Sequence, residues 1–173
     1  FAAGDTLATA YVLAAGIKAL CPVDIIFCGN EAVDGATQQV GPQIAELLDF
    51  PHVGNVSELI VNENKTAVAK RVIEYGHLKI EAKMPVLVSV SREINQPRAV
   101  TAEGIFSLMD KVFRTWSLKD LTVDEKNIGL TGSPTRVGKV YEQKNERQRL
   151  ILDGTPEEMV NTTIEKLRQE ELI

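Results

Sequence analysis

Histidine and cysteine are scarce in this chain, with two of each among 173 residues. Cys21 and Cys28 have neither zinc-type nor redox-type spacing, and Cys28 closes an apolar run, so both are expected as buried thiols rather than as a disulfide or a metal pair. His52 and His77 are too isolated to build a metal site or a catalytic triad on. Positive charge is also short: a formal net charge of −5 leaves no electrostatic footprint for nucleic acid or for an anionic membrane surface. Nor is there an apolar run near the ~20 residues that span a bilayer, a signal-peptide pattern, an internal repeat or a low-complexity tract. A cytoplasmic globular protein is the expectation. An initiating Met is missing too. The chain opens on Phe1 and enters a helical pattern at once, where an α/β fold would put a strand first, so a preceding segment is expected.

What is present is ordinary globular composition, 44% hydrophobic and 25% charged, enough for one core with an appendage. Asp5 or Thr6 can cap a helix running to about Leu20, with Pro22 after it. Val23 to Cys28 then reads as a central parallel strand, broken at Gly29. A small-residue loop follows through Asp34 and Gly35, and from Thr37 the apolar positions Val40, Ile44, Leu47 and Leu48 take helical spacing. A helix that starts just after a buried strand points unpaired N–H groups and the positive end of its dipole into the loop, where phosphate can sit. Gly35 and Ala36 would let an anion approach the backbone, and Thr37, Gln38 and Gln39 can add side-chain donors. The plainer reading is a turn with Asp34 or Thr37 as N-cap.

Short β-type runs come next, at Glu58 to Val61, Thr66 to Ile73, Leu78 to Ala82 and Val86 to Val90, with a hairpin around Glu74-Tyr75-Gly76. The polar loop that follows carries Asn95, Pro97 and Arg98 at a strand's carboxyl end, where open α/β sheets place ligands, and leads to a helix from about Ala102 to Phe113. From Trp116 to Gln148 the periodicity is weak and the segment reads as an extended arm that needs another surface. Thr155 as N-cap, Pro156 at the first helical position and Glu158 at the capping-box position start a final helix whose stripe is Met159, Ile164 and Leu167. The expected fold class is α/β: an open, mostly parallel nucleotide-binding sheet flanked by helices over residues 1–116, with an antiparallel hairpin, and a C-terminal arm and helix over 117–173.

Three ordered motifs carry a family likeness. GNEAVDGATQQVGPQIAELL, then RVIEYGHLKIEAKMPVLVSVS, then INQPRAVTAEGI resemble the β subunit of electron-transfer flavoproteins in identity, order and spacing, and IGLTGSPTRV and the last helix fit as well. In that family the nucleotide loop looks like A-x-D-G-x-T-x-Q-x-G, matched here by Ala32, Asp34, Gly35, Thr37, Gln39 and Gly41. Tyr75 and His77 depart from the family's hairpin, and Ala102 stands where many members carry the Leu that anchors acyl-CoA dehydrogenases. The family's first strands have no counterpart before Phe1.

The resemblance implies a heterodimer with an α subunit that holds the electron-carrying FAD, and a β chain that supplies scaffold, a bound adenine nucleotide and a docking surface. Electron transfer requires no nucleophile or acid–base pair, and no catalytic residue or metal ligand is assigned. The nucleotide is AMP in simple members and part of a second FAD in the electron-bifurcating branch, with NADH as a donor there. The opening FAAGDTLATAYVL looks more like that branch. Cofactor contacts are therefore expected from Asp5, Thr6 and Thr9, and from Cys28, Gly29, Ala32, Asp34, Gly35, Thr37, Gln38, Gln39 and Val40. Expected partners are the α subunit and an acyl-CoA dehydrogenase-type or other redox protein. A universal-stress-type nucleotide-binding regulatory domain is the alternative, and an adenine-nucleotide hydrolase a third reading.

Overall fold

The computed structural model describes residues 3–141 and 149–172, so part of the arm read from the sequence, 142–148, lies outside the described residues. Contacts divide the chain into two units, Phe1–Arg136 and Val137–Ile173.

The first unit is built on a five-stranded open sheet: β1 (Ile25–Gly29), β2 (His52–Val61), β3 (Thr66–Ile73), β4 (Gly76–Lys83) and β5 (Val86–Val90), in the order β1-β5-β2-β3-β4. β1, β5 and β2 are parallel, while β2, β3 and β4 form antiparallel pairs, so only β3 runs against the others. The α/β class and open sheet agree with the expectation. β1 lies at an edge of this sheet rather than at its centre, because β5 pairs it on one side only. β2 begins at His52, earlier than its apolar alternation suggested: Asn55 takes a φ of 56° and a register shift interrupts the pattern.

Side chains of β5 alternate between two cores. Leu87 faces α1 (Thr6–Leu20) and α2 (Val40–Leu48), packing with Ala10, Ala14, Ile44, Ala45 and Leu48. Val86 and Val88 belong to the other face with Val53, Val56, Ala67 and Ala69. The alanines of α1 have little side chain to keep the helices apart, so α1 and α2 share one side of the sheet closely. Asp5 caps α1, and Gly76, with a φ of 135°, turns the β3–β4 hairpin where only glycine is unstrained.

Two helices differ from their sequence patterns. α2 starts at Val40, not at Thr37, because Ala36 (φ 46°) and Gln38 (φ 56°) take left-handed conformations that a helix cannot include. α3 spans only Ala102–Leu108 and buries no residue, and Phe106, Met109, Val112 and Phe113 are exposed. Cys21 is exposed at the end of α1 and Cys28 half-buried, so the expectation of two buried thiols is corrected: Cys21 lies just past the helix end, off the packed face. In the second unit α4 (Pro156–Gln169) forms with the expected cap: Thr155 accepts from the Glu158 N–H, and the Glu158 carboxylate accepts from the Thr155 N–H. Among the described residues no helix is long and apolar enough to cross a membrane.

Candidate functional site: the loop between β1 and α2

Because β1 and β5 are parallel and in register, Cys28 opposite Ser89 and Gly29 opposite Val90, the loops that leave them emerge at the same edge of the sheet. One is residues 30–39 and the other is 91–101, which carries Asn95, Pro97 and Arg98. This carboxyl edge is where open parallel sheets bind ligands. Among the described residues Arg98 has no carboxylate in ion-pair contact.

Residues 31–39 are exposed throughout, and Val33 carries no cover at all. The Ala36 N–H donates to the Ala32 carbonyl at 2.9 Å, which closes a turn over Asp34 and Gly35. Gln38 is occupied by a neighbour, its Nε2 donating to Glu31 Oε2 at 2.9 Å. The start of α2 has no side-chain cap. Its N-cap, Gln39, is itself in helical conformation, and Pro42 has no N–H to satisfy. The N–H groups of Val40 and Gly41 thus have no acceptor among the described residues, whereas α1, α3 and α4 are each capped by a side chain. Two donors and the positive end of a nine-residue helix face the loop.

The start of α1 joins this loop, for the Thr6 hydroxyl donates to Gln39 Oε1 at 2.8 Å. Asp5 is taken up differently. One carboxylate oxygen accepts from the N–H groups of Leu7 and Ala8, and the other from the N–H and hydroxyl of Thr135. These bonds, the one to Ala8 foremost, hold its carboxyl below the usual aspartate range. Thr9 is half-buried one turn along, with its N–H on the Asp5 carbonyl.

Cys28 points beneath α2 rather than into the loop. Its sulfur lies 3.2 Å from Ser89 Oγ, which is in turn 2.8 Å from His52 Nε2. His52 is thus less isolated than its position in the sequence suggests. Burial of the ring, with Arg71 near, holds its pKa below 6.5. Gly41 sits directly over this trio, and a Cβ there would lie 2.7 Å from Ser89 Oγ and 2.9 Å from Cys28 Sγ. Of the expected cofactor contacts, the structure brings Asp5, Thr6 and Gln39 together. Gly29 ends β1, and Ala32, Asp34, Gly35, Thr37 and Gln38 line the exposed loop before Val40. Ser89, Ser133 and Thr135 were not singled out from the sequence. The one available signal for Ser89 was a hydroxyl inside the apolar run VLVSV.

A parallel sheet edge that ends in an uncapped helix, beside a second helix start, belongs to an open α/β domain. An electron transfer flavoprotein domain matches residues 1–107, and the chain belongs to the electron transfer flavoprotein family. Over 173 residues, all of this chain and 66% of the relative, it is 40% identical to the electron transfer flavoprotein subunit beta of Clostridium acetobutylicum. It is 33% identical to the caffeyl-CoA reductase-Etf complex subunit CarD of Acetobacterium woodii, covering 100% of this chain and 66% of that one. Against the acryloyl-CoA reductase electron transfer subunit gamma of Anaerotignum propionicum the identity is 36%, over 100% and 67% of the two chains. The chain thus spans about two thirds of the length of these relatives.

Proposed function

We propose that this chain acts as the β subunit of a heterodimeric electron transfer flavoprotein, and that the 34–41 loop holds the adenylate part of a nucleotide. The observation that carries this reading is the start of α2, where the Val40 and Gly41 N–H groups are unpaired among the described residues and Gly35 and Ala36 present only small side chains. Phosphate oxygens would complete those donors, as they do at other helix starts. Thr37 and the Gln39 amide add side-chain donors, while Gly29 and Ala32 leave room for the base. Gln38, bound to Glu31, shapes the loop through its left-handed backbone.

The nucleotide we propose is the ADP part of a second FAD, with AMP as the competing occupant. Support comes from the start of α1, which Thr6 ties to the loop so that the site extends past a single phosphate, and from relatives whose names place them in reductase complexes. The flavin supplies the electron-carrying chemistry. The chain's residues bind and orient it, and none of them is required as an acid, base or nucleophile. Electrons would pass between NADH or a dehydrogenase and a further acceptor, with the principal FAD held by the α subunit.

Flavin and nucleotide analysis of the α–β complex tests this. Two FAD and no AMP per complex is the expected result, and one FAD with one AMP would replace the second FAD by AMP. Thr37→Val and Gln39→Ala should each weaken retention by roughly 1.5–3 kcal/mol, the worth of a hydrogen bond to a charged group. Parent-like retention in both variants would move the nucleotide elsewhere.

A further inference from the structure

The carboxylate of Asp5 is used twice. Oδ1 caps α1, accepting from the N–H groups of Leu7 at 3.1 Å and Ala8 at 3.0 Å. Oδ2 does something a cap does not need: it accepts from the N–H of Thr135 at 3.0 Å and from its hydroxyl at 2.8 Å, across 130 residues of sequence. The Asp5 N–H meanwhile donates to Ser133 Oγ at 2.8 Å, and that hydroxyl donates to the Gly129 carbonyl at 2.7 Å. Ser133 is buried, with both its donor and an acceptor function spent. The turn that presents it tolerates no side chain at Gly132, where a Cβ would collide with the backbone of Asn127 and Ile128. One residue beyond Asp5, Thr6 donates to Gln39 Oε1, so the remaining amide nitrogen of Gln39 is left as a donor with no acceptor among the described residues.

We infer that Ser133 and Thr135 are positioning residues of the nucleotide site, holding the start of α1 where Thr6 orients the Gln39 amide toward the phosphate loop. The inference rests on nucleotide binding at the 34–41 loop. The clasp sits at the point where α1 meets that loop, and it grips the residue adjacent to Thr6. Anchoring alone could have been supplied anywhere along the helix. A hydrogen-bonded carboxylate fixes direction as well as distance, which is what a side chain acting through its neighbour requires.

Asp5→Asn separates the two uses of the carboxylate, since asparagine caps a helix as well as aspartate but its amide nitrogen cannot accept from Thr135. In the α–β complex stripped of nucleotide, calorimetric titration with AMP and separately with FAD is the assay. Asp5→Asn and Thr135→Val should lower affinity for the tighter of the two about tenfold, an effect the size of one net hydrogen bond, while Thr135→Ser stays within about twofold of the parent. Melting temperatures of Asp5→Asn and Thr135→Val should both lie below that of Thr135→Ser, since each breaks bonds of the clasp that serine keeps. The inference is overturned if Asp5→Asn and Thr135→Val bind like the parent while Thr37→Val is weakened, or if Thr135→Ser falls as far as Thr135→Val. Parent-like binding in Thr37→Val and Gln39→Ala as well would overturn the nucleotide reading beneath it.

Discussion

Gly41→Ala is the sharpest test of how α2 is seated. Alanine is ordinarily the better helix residue by up to ~1 kcal/mol, so a solvent-facing glycine at this position would be improved by the change. Here the new Cβ would stand 2.7 Å from Ser89 Oγ, 2.9 Å from Cys28 Sγ and 3.7 Å from Leu87 Cδ2. Non-bonded contacts of carbon are comfortable at about 3.5–4.0 Å, so something must retreat. Ser89 cannot do so freely: it is 3% exposed, and its hydroxyl is held by His52 at 2.8 Å and Cys28 at 3.2 Å. Overpacking of this kind costs ~1–3 kcal/mol, and the propensity gain offsets only part of it, which leaves a net loss of roughly 1–2 kcal/mol. Thermal unfolding followed by far-ultraviolet circular dichroism should show a melting point lower by roughly 2–8 °C. Ser89→Ala removes the nearest atom but strands the His52 ring, so it is destabilising alone. Combined with Gly41→Ala it should cost less than the sum of the two, because the atoms that clash are the same ones. A Gly41→Ala protein as stable as the parent, or strict additivity in the pair, would refute the packing argument.

The trio also predicts a pH dependence. His52 has a folded pKa below its unfolded value of 6.5, so between those two values the unfolded chain binds more protons and stability rises with pH. Its contribution is complete above pH 6.5 and is lost as pH falls through the folded value. His52→Gln should flatten a plot of unfolding free energy against pH just below that point, and an unchanged slope would remove His52 as its source. The loss at lower pH should persist in that variant, since Asp5 and Glu158 are held below their ordinary 3.8 and 4.5 by hydrogen bonds and lose that contribution as pH falls through their folded values. Gly132→Ala should destabilise the protein clearly and Gly138→Ala hardly at all, because the Cβ at 132 meets backbone and the one at 138 meets nothing within 4 Å. Equal melting points for the two would mean that the 127–133 turn can relax. We propose that α4, with its apolar residues Met159, Val160 and Ile164, contacts the α subunit, and amide exchange across residues 156–169 should then slow on adding α. Exchange that is already slow and does not change would exclude it.

Local chemistry was readable from the sequence wherever the local partners are also the structural ones. Asp5 before α1, Thr155-Pro156 with Glu158 before α4, and Gly76 in the hairpin each satisfy backbone groups within a few residues. The same rule explains the failures. Val40 and Ile44 have helical spacing that extends back to Thr37, yet two non-glycine residues at positive φ delay α2 by three residues, and nothing in Ala36 or Gln38 as residue types announces that. α3 shows the converse. Its apolar period runs on to Phe113, but helix length is set by the surface available for burial, and α3 buries nothing.

The candidate site divides along the same line. Its loop could be read in order from Asp34 to Gly41, since a strand, a turn of small residues and a helix start are consecutive in the chain. The hydrogen bonds that fasten the elements around it are remote. Ser89 lies 61 residues from Cys28, Thr135 lies 130 residues from Asp5, and the Tyr11 hydroxyl accepts from the Asp124 N–H across 113 residues. Through these bonds the stretch from 117 to 136, expected as an arm needing another surface, reaches back to α1 within the first unit. Weak periodicity was a true signal that this stretch buries little of its own surface. What it could not reveal is that polar groups suffice to hold such a segment: hydroxyls and amides at defined points need no stripe, and a search for stripes passes over them. Binding loops that must stay open to a ligand have the same need, because apolar packing would close them. The residues that position a ligand loop are therefore the ones to seek among long-range hydrogen bonds, not among conspicuous motifs.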